Sequence, residues 1–286
     1  MKTPLLYACL FLSFLFPFMG QAEIRDSLIV PCTVNEATLL SLGAFNLKDT
    51  YLSDLNYTGI GYQLMHERMK RMNWMHQRIT NQQMVHLYYA KADNPSFTAT
   101  NSVYMIDGEW GYYYNYRPLP HLKVLVGSAL WGQGGMIYNS RNGNNPGSAK
   151  LAIDLNLSAL VIYELKIKNY PLTFRGQVSV PTIGVCFSPN YGQSYYEMYV
   201  LDNNHNVLNF THYGNRLGIR SYMTVDMPIG DFIFRLGYMG SYRKTNINHI
   251  ESHIQSHSIL FGIVKEFSLF RGKKAHSNQI KSAFYE

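Results

Sequence analysis

Cysteine is scarce. The 286-residue chain holds three, at Cys9, Cys32 and Cys186, with no Cys-x-x-Cys pair. This excludes a disulfide framework and a cysteine-based zinc site. Charge is sparse too, at 15% of residues. Beyond the N-terminus there is no run of about 18 consecutive apolar residues, which excludes transmembrane helices and leaves a closed barrel as the remaining way to span a membrane. No Pro-, Ser- or Gly-rich linker divides the chain, so one domain is expected. There is no recognition motif for nucleic acid. The net charge of +7 draws on a terminal cluster at Arg271, Lys273, Lys274 and Lys281, which reads as a solvated basic tail rather than a binding patch. No sequence element calls for a cofactor.

What is present begins with a targeting signal. Lys2 supplies a positive start, Leu5 to Met19 an apolar body, and Gly20, Gln21 and Ala22 a small-residue cleavage site before Glu23. Residues 1–22 are therefore expected to be removed on export. Residues 23–270 would form the folded domain after a short periplasmic lead-in, and 271–286 a basic periplasmic tail. With 23 tyrosines and ordinary apolar content, the composition suits a barrel with a polar lumen and an apolar exterior, and equally a soluble β-sandwich.

Periodicity separates the two. From Leu151 to Lys168 every odd position is apolar, while Asp154, Asn156, Ser158, Glu164, Lys166 and Lys168 fall on even positions. That is a strand period, and the run exceeds the ~9–11 residues a tilted strand needs to cross a bilayer. Similar segments run from Thr38 to Lys48, Tyr57 to Met72, Ile79 to Lys91, Tyr104 to Arg117, Leu122 to Trp131, Leu172 to Val180, Leu217 to Val225, Phe232 to Tyr238 and Ile259 to Phe270. Tyr112 to Tyr116, just before Pro118 and Pro120, suit an aromatic girdle at a membrane boundary. Turns near Pro118, Asn169 and Pro228 placed on the periplasmic side put the long segments 132–148 and 188–208 outside. The expected fold is all-β: an antiparallel up-and-down transmembrane barrel of about ten strands. Eight or twelve follow if the N-terminal run is irregular or if Tyr195 to Leu201 form a hairpin arm.

Asp107, Glu109, Arg117, Asp154, Glu164, Arg175, Arg220, Arg235 and Arg243 alternate with lipid-facing residues and are expected in the lumen. A barrel this narrow favours a salt-bridged plug over a lined conduit. Asn139, Arg141, Asn142, Asn144, Asn145, Tyr195 and Tyr196 fall on predicted outer loops, where Asn and Tyr suit a glycan, a small solute or an envelope protein; ordinary loop composition explains them as well. His249, His253 and His257 are spaced by four around Glu251. On a helix they would share a metal, but on a strand such neighbours stand ~13 Å apart, so a polar strand end is preferred. The catalytic alternative is a lipid-acting serine hydrolase built from Ser194 with His205 or His212 and Glu197 or Asp202. No Gly-x-Ser-x-Gly or His-x-Ser element supports it, so the chain reads as a non-enzyme more than an enzyme. Cys32 and Cys186 fall on opposite sides of the membrane in this topology, and a disulfide between them would contradict it.

Four elements, DTYLSDLNYTG (Asp49 to Gly59), IYNSRNGNNPGSAK (Ile137 to Lys150), PTIGVCFSPNYGQSYYE (Pro181 to Glu197) and VDMPIGDFIFRLGY (Val225 to Tyr238), resemble a domain-of-unknown-function family of exported proteins from Gram-negative gut and oral bacteria. The resemblance spans most of the mature chain. It implies export and an outer-membrane location, with membrane lipid as a partner, and supplies no activity. The reading is an outer-membrane β-barrel with a structural, binding or small-solute role in the envelope. Its alternatives are the hydrolase and a periplasmic β-sandwich.

Overall fold

A computed structural model describes residues 33–268 except 76, 169 and 231. The expected signal peptide, the lead-in with Cys32 and the basic tail lie outside the described residues. In chain order the elements are β1 (Thr33–Asp49), β2 (Ser53–Met72), β3 (Ile79–Asp93), β4 (Thr100–Leu119), β5 (Leu122–Asn139), β6 (Gly147–Ile167), β7 (Tyr170–Phe187), α1 (Tyr195–Tyr199), β8 (Leu208–His212), β9 (Arg216–Ile229), β10 (Phe232–Ile247) and β11 (Ile250–Ser268). Each strand pairs antiparallel with its neighbour, and β1 pairs with β11 from Thr33↔Ser268 to Asp49↔Ser252, which closes the ring. A single closed sheet excludes the sandwich. No helix among the described residues is long and apolar enough to cross a membrane.

The ring has ten staves, because β8 and β9 together make one. The upper part of β7 pairs with β8 (Ile183↔His212) and its lower part with β9 (Ser179↔Arg220). Tyr213, Gly214 and Asn215 bulge between the two halves, and Asn215 covers the free edge of β8 by donating its side-chain amide to the carbonyl of Phe210 at 2.8 Å. An unpaired strand edge invites pairing with other chains, so this cover has a purpose.

The turns that follow Leu119, Ile167 and Ile229 lie at the same end as both described termini, with the one that follows Met72 beside them. The loops 94–99, 140–146 and 188–207 lie at the other end. β6 therefore runs from the Asn-rich loop toward Asn169, as its parity requires. Two segments depart from expectation. The stretch Gly132 to Asn139, read as loop because of its glycines, completes β5. There Gly135 is needed for close approach: a Cβ would sit 2.2 Å from the carbonyl oxygen of Tyr104 on β4. Tyr195 to Leu201 form no hairpin arm; Tyr195–Tyr199 make one helical turn.

Alternation sorts the side chains. On β6, Leu151 through Ile167 face outward at odd positions, while Ala152, Asp154, Asn156, Ser158, Leu160 and Ile162 are buried inside. On β4, Tyr104, Ile106, Trp110, Tyr112, Tyr114 and Tyr116 are exposed on the exterior. The outer band is not of even height. On β2 only Ile60, Tyr62 and Leu64 precede the outward-facing His66, Arg68 and Lys70.

Candidate functional site

The lumen is where this chain concentrates chemistry. Toward the short-turn end, Met69, Tyr113, Leu125, Leu160 and Ile162 pack as an apolar plate, with buried Arg71, Thr80, Asn115 and Lys123 nearer still to that end. Leu160 and Ile162 stand on the face of β6 expected to be wet, and each is 1% exposed because the two meet this plate rather than water.

Above the plate lies a charge network. Glu67 on β2 faces inward by the same parity as Gln63 and Met65. Its carboxylate accepts from Arg175 Nη1 at 2.6 Å and from Arg235 Nη1 at 2.9 Å. Gln82 Nε2 on β3 adds a hydrogen bond at 2.6 Å. Arg235 in turn forks onto Asp226, Nε to Oδ1 at 2.6 Å and Nη2 to Oδ2 at 2.7 Å. Gln177 takes Arg175 Nη2 at 2.5 Å and donates to Ser158 Oγ at 3.1 Å. The Arg175 guanidinium also lies 4.8 Å from the centre of the Tyr222 ring. In a ring of ten staves the second and the seventh are opposite walls. Direct contact between Glu67 and Arg175 thus closes the bore at this level.

Toward the other end the interior loosens. Arg220 pairs with Glu109, and Arg216 with Asp154 at 2.9 Å. Asp107 lies 3.4 Å from Arg243 Nη1 and 3.8 Å from His86 Nδ1, whose other ring nitrogen meets Gln63 Oε1 at 2.7 Å. Trp131 is covered by two guanidiniums, with Arg243 at 3.7 Å and Arg216 at 5.5 Å from its ring centre. Between these groups is a cavity with about 60 Å³ of room for water centres. That holds a few waters. Orphaned polar atoms nearby, Asp107 Oδ1, Arg216 Nε and Trp131 Nε1, are of the kind that such waters satisfy.

The long loop folds over the outer mouth. Tyr51 donates its hydroxyl to the carbonyl of Gln193 at 2.9 Å, and the Tyr195 hydroxyl accepts from the backbone N–H of Ala149 at 2.6 Å. The two rings meet edge to face at 5.8 Å. Burial first, and a neighbouring phenol and the Asp49 carboxylate next, hold both phenols above the usual tyrosine range. They stay neutral hydrogen-bonding groups. Beneath them Lys150 pairs with buried Asp49 at 2.7 Å.

Of the nine residues expected in the lumen, Asp107, Glu109, Asp154, Arg175, Arg220 and Arg235 are buried inside, and Arg243 is partly buried beside Trp131. Two need correction. Arg117 follows the inward parity of Asn115 but stands at the rim of the short-turn end and is exposed, and Glu164 is half-buried near the same rim. Sequence reasoning missed Glu67, Arg216, Lys150 and Asp49 as lumen groups, while Asp226 is buried on the same face as Arg220, where alternation puts it. For Glu67 the signal was present, since Gln63, Met65 and residue 67 share one face.

The outer-loop candidates divide as well. Asn139 is 2% exposed, a correction to its place on a binding loop. Its amide donates to Tyr57 and Asn101, and its oxygen accepts the backbone N–H groups of Arg141 and Asn142. It anchors the loop from below. Arg141, Asn144 and Tyr196 are exposed, Asn142 and Asn145 partly so. Tyr195 turns inward to the lid.

The hydrolase constellation does not assemble. Ser194 Oγ accepts the N–H of Glu197 at 3.2 Å, and the Glu197 carboxylate accepts the N–H of Ser194 at 2.8 Å. This is a capping box, which satisfies the free donors at the start of α1. Among the described residues no hydrogen bond joins His205 to either. His212 Nδ1 accepts the N–H of Gly214 instead. Ser194→Ala is expected to leave membrane-lipid turnover unchanged and to loosen the loop by about 1 kcal/mol, read as faster limited proteolysis of segment 188–207. His253 and His257 lie on β11 and His249 in the turn before it, and no group of metal-binding side chains occurs among the described residues.

A family model described as "Protein of unknown function (DUF3316)" matches residues 5–274. No curated protein sequence matches the chain. Among solved structures, the outer membrane protease OmpT from Escherichia coli aligns at TM-score 0.44 and 5% identity, covering 83% of this chain and 97% of that one. The transport unit of the autotransporter AIDA-I from Escherichia coli aligns at TM-score 0.43 and 9% identity, covering 90% and 94%. The COG4313 outer membrane channel from Pseudomonas putida F1 aligns at TM-score 0.32 and 11% identity, covering 87% and 100%. None of their activities is carried over at these identities.

Proposed function

The chain belongs to the DUF3316 family of proteins of unknown function, and from that premise we propose that it is a sealed outer-membrane barrel of a Gram-negative bacterium. Its role is structural or adhesive in the envelope rather than the passage of solute. The observation that carries this is the 2.6 Å contact between Glu67 and Arg175, which reach each other from opposite walls. A conduit needs a continuous wet bore, and here an ion pair and an apolar plate cross it in succession.

The apolar exterior with its tyrosines, the short turns at one end and the location of both described termini at that end support the membrane reading. The outer rim is then the face open to other molecules. There Arg141, Asn144 and Tyr196 are exposed and offer hydrogen bonds and stacking to a glycan, a small solute or an envelope protein. No cofactor enters this reading.

The test is electrophoretic and fractional. The chain should require detergent for extraction and migrate faster unboiled than boiled, because a closed barrel resists dodecyl sulfate until heated. Extraction by salt or carbonate alone, with no heat shift, would contradict a membrane barrel.

A further inference from the structure

The exterior carries a second site, on the wall formed by β1, β2 and β3, and it rests on the membrane reading above. On β2 the apolar exterior runs only from Ile60 to Leu64. At roughly 3.3 Å per residue and a ~45° tilt, this is ~12 Å of height, about half of the ~25 Å band such barrels carry. Below it, on the short-turn side, the face turns cationic. His66 and Arg68 point outward, and one cross-strand row reads Lys265 on β11, Glu36 on β1, Arg68 on β2 and Gln83 on β3. Lys70 follows on the next outward position. Glu36 meets Arg68 Nε at 3.3 Å, and Thr38 Oγ1 meets His66 Nδ1 at 3.0 Å. The cations Arg68, Lys70 and Lys265 thus surround a single carboxylate.

An outward Arg or Lys facing acyl chains is costly at the midplane and costs little near the headgroups. A second copy docking by a two-fold axis would set these cations against their own counterparts, which is unfavourable. Phosphate is the complementary charge, and flexible Arg and Lys side chains reach it by snorkelling. We propose that this wall binds anionic phospholipid headgroups of the inner leaflet and holds the bilayer thin there, while β6 opposite it contacts a full hydrocarbon thickness.

Native mass spectrometry of the full chain in mild detergent tests this, with added phosphatidylglycerol or phosphatidylethanolamine of the same acyl chains. The wild type should retain phosphatidylglycerol in preference. Arg68→Leu with Lys70→Leu should lower that preference about thirtyfold, since each of the two cations near the surface contributes of order 1 kcal/mol, while the heat shift persists. Lys265→Leu should weaken it in the same direction, and Glu36→Gln should strengthen it. Equal retention of the two lipids by the wild type would overturn the proposal and leave the barrel intact. So would an unchanged preference in R68L/K70L, or a stoichiometric second copy cross-linked through Leu42→Cys. A wild-type chain that leaves the membrane without detergent overturns the membrane reading instead.

Discussion

Glu67→Ala is expected to destabilise the barrel by about 3–5 kcal/mol, the cost of leaving a buried charge without its partner. Glu67, Arg175 and Arg235 have fully buried side chains. With the carboxylate removed, Arg235 keeps its fork onto Asp226, while Arg175 keeps the side-chain oxygen of Gln177 and the face of Tyr222 but loses its contact with Glu67. Urea unfolding in lipid vesicles, followed by tryptophan emission, should show a midpoint well below wild type. A companion variant sharpens the reading: Glu67→Leu with Arg175→Met and Arg235→Leu removes the charges together, leaving Asp226 to be replaced by Asn. That set should recover most of the stability, because buried ion pairs replaced by apolar side chains of similar volume are often neutral or better. A midpoint unchanged by Glu67→Ala would mean that the network does not hold the opposite walls.

Leu160→Asp should have a larger effect still. Leu160 is 1% exposed in the plate with Met69, Tyr113, Leu125 and Ile162. A carboxylate there stands between Leu125 and the already bonded amide of Gln177, its two cross-strand partners, so it must be buried short of donors or pull water through the plate. More than about 4 kcal/mol is expected to be lost, a magnitude reserved for such burials. The heat-shifted form should be absent from membranes. Leu160→Ala, which leaves only a cavity, should cost about 2–5 kcal/mol and still assemble. Equal assembly of the two variants would show the plate to be wet.

Much of the architecture was written in side-chain parity. The alternation of β6 fixed which residues face lipid, and the turn positions fixed its direction. Parity fails where side chains are lacking. Gly132, Gly134 and Gly135 have nothing to alternate, so the outer half of β5 read as loop although the backbone there continues the sheet. On β2 the charged cluster from His66 to Arg71 obscures the period. Continued by two residues from Met65, it places Glu67 in the lumen. That His66, Arg68 and Lys70 stay outward on the same strand is the matching half of that fact.

Which lumen groups meet was not legible. Glu67 and Arg175 are 108 positions apart in sequence, and their contact depends on the closure of β1 on β11 and on a ring of ten staves. Periodicity names a face and is silent about the facing wall. The capping box at Ser194 and Glu197 was readable as a Ser-x-x-Glu pattern, and once read so it leaves the serine an ordinary helix start.

The central claim is that the bore is closed by contact between opposite walls, and single-channel conductance measures it most directly. Purified wild-type protein in a planar bilayer should add no steady unit current at neutral pH, in either polarity, while retaining its heat shift. Regular ohmic openings from that same folded protein would contradict a lumen sealed by Glu67, Arg175 and the plate beneath them.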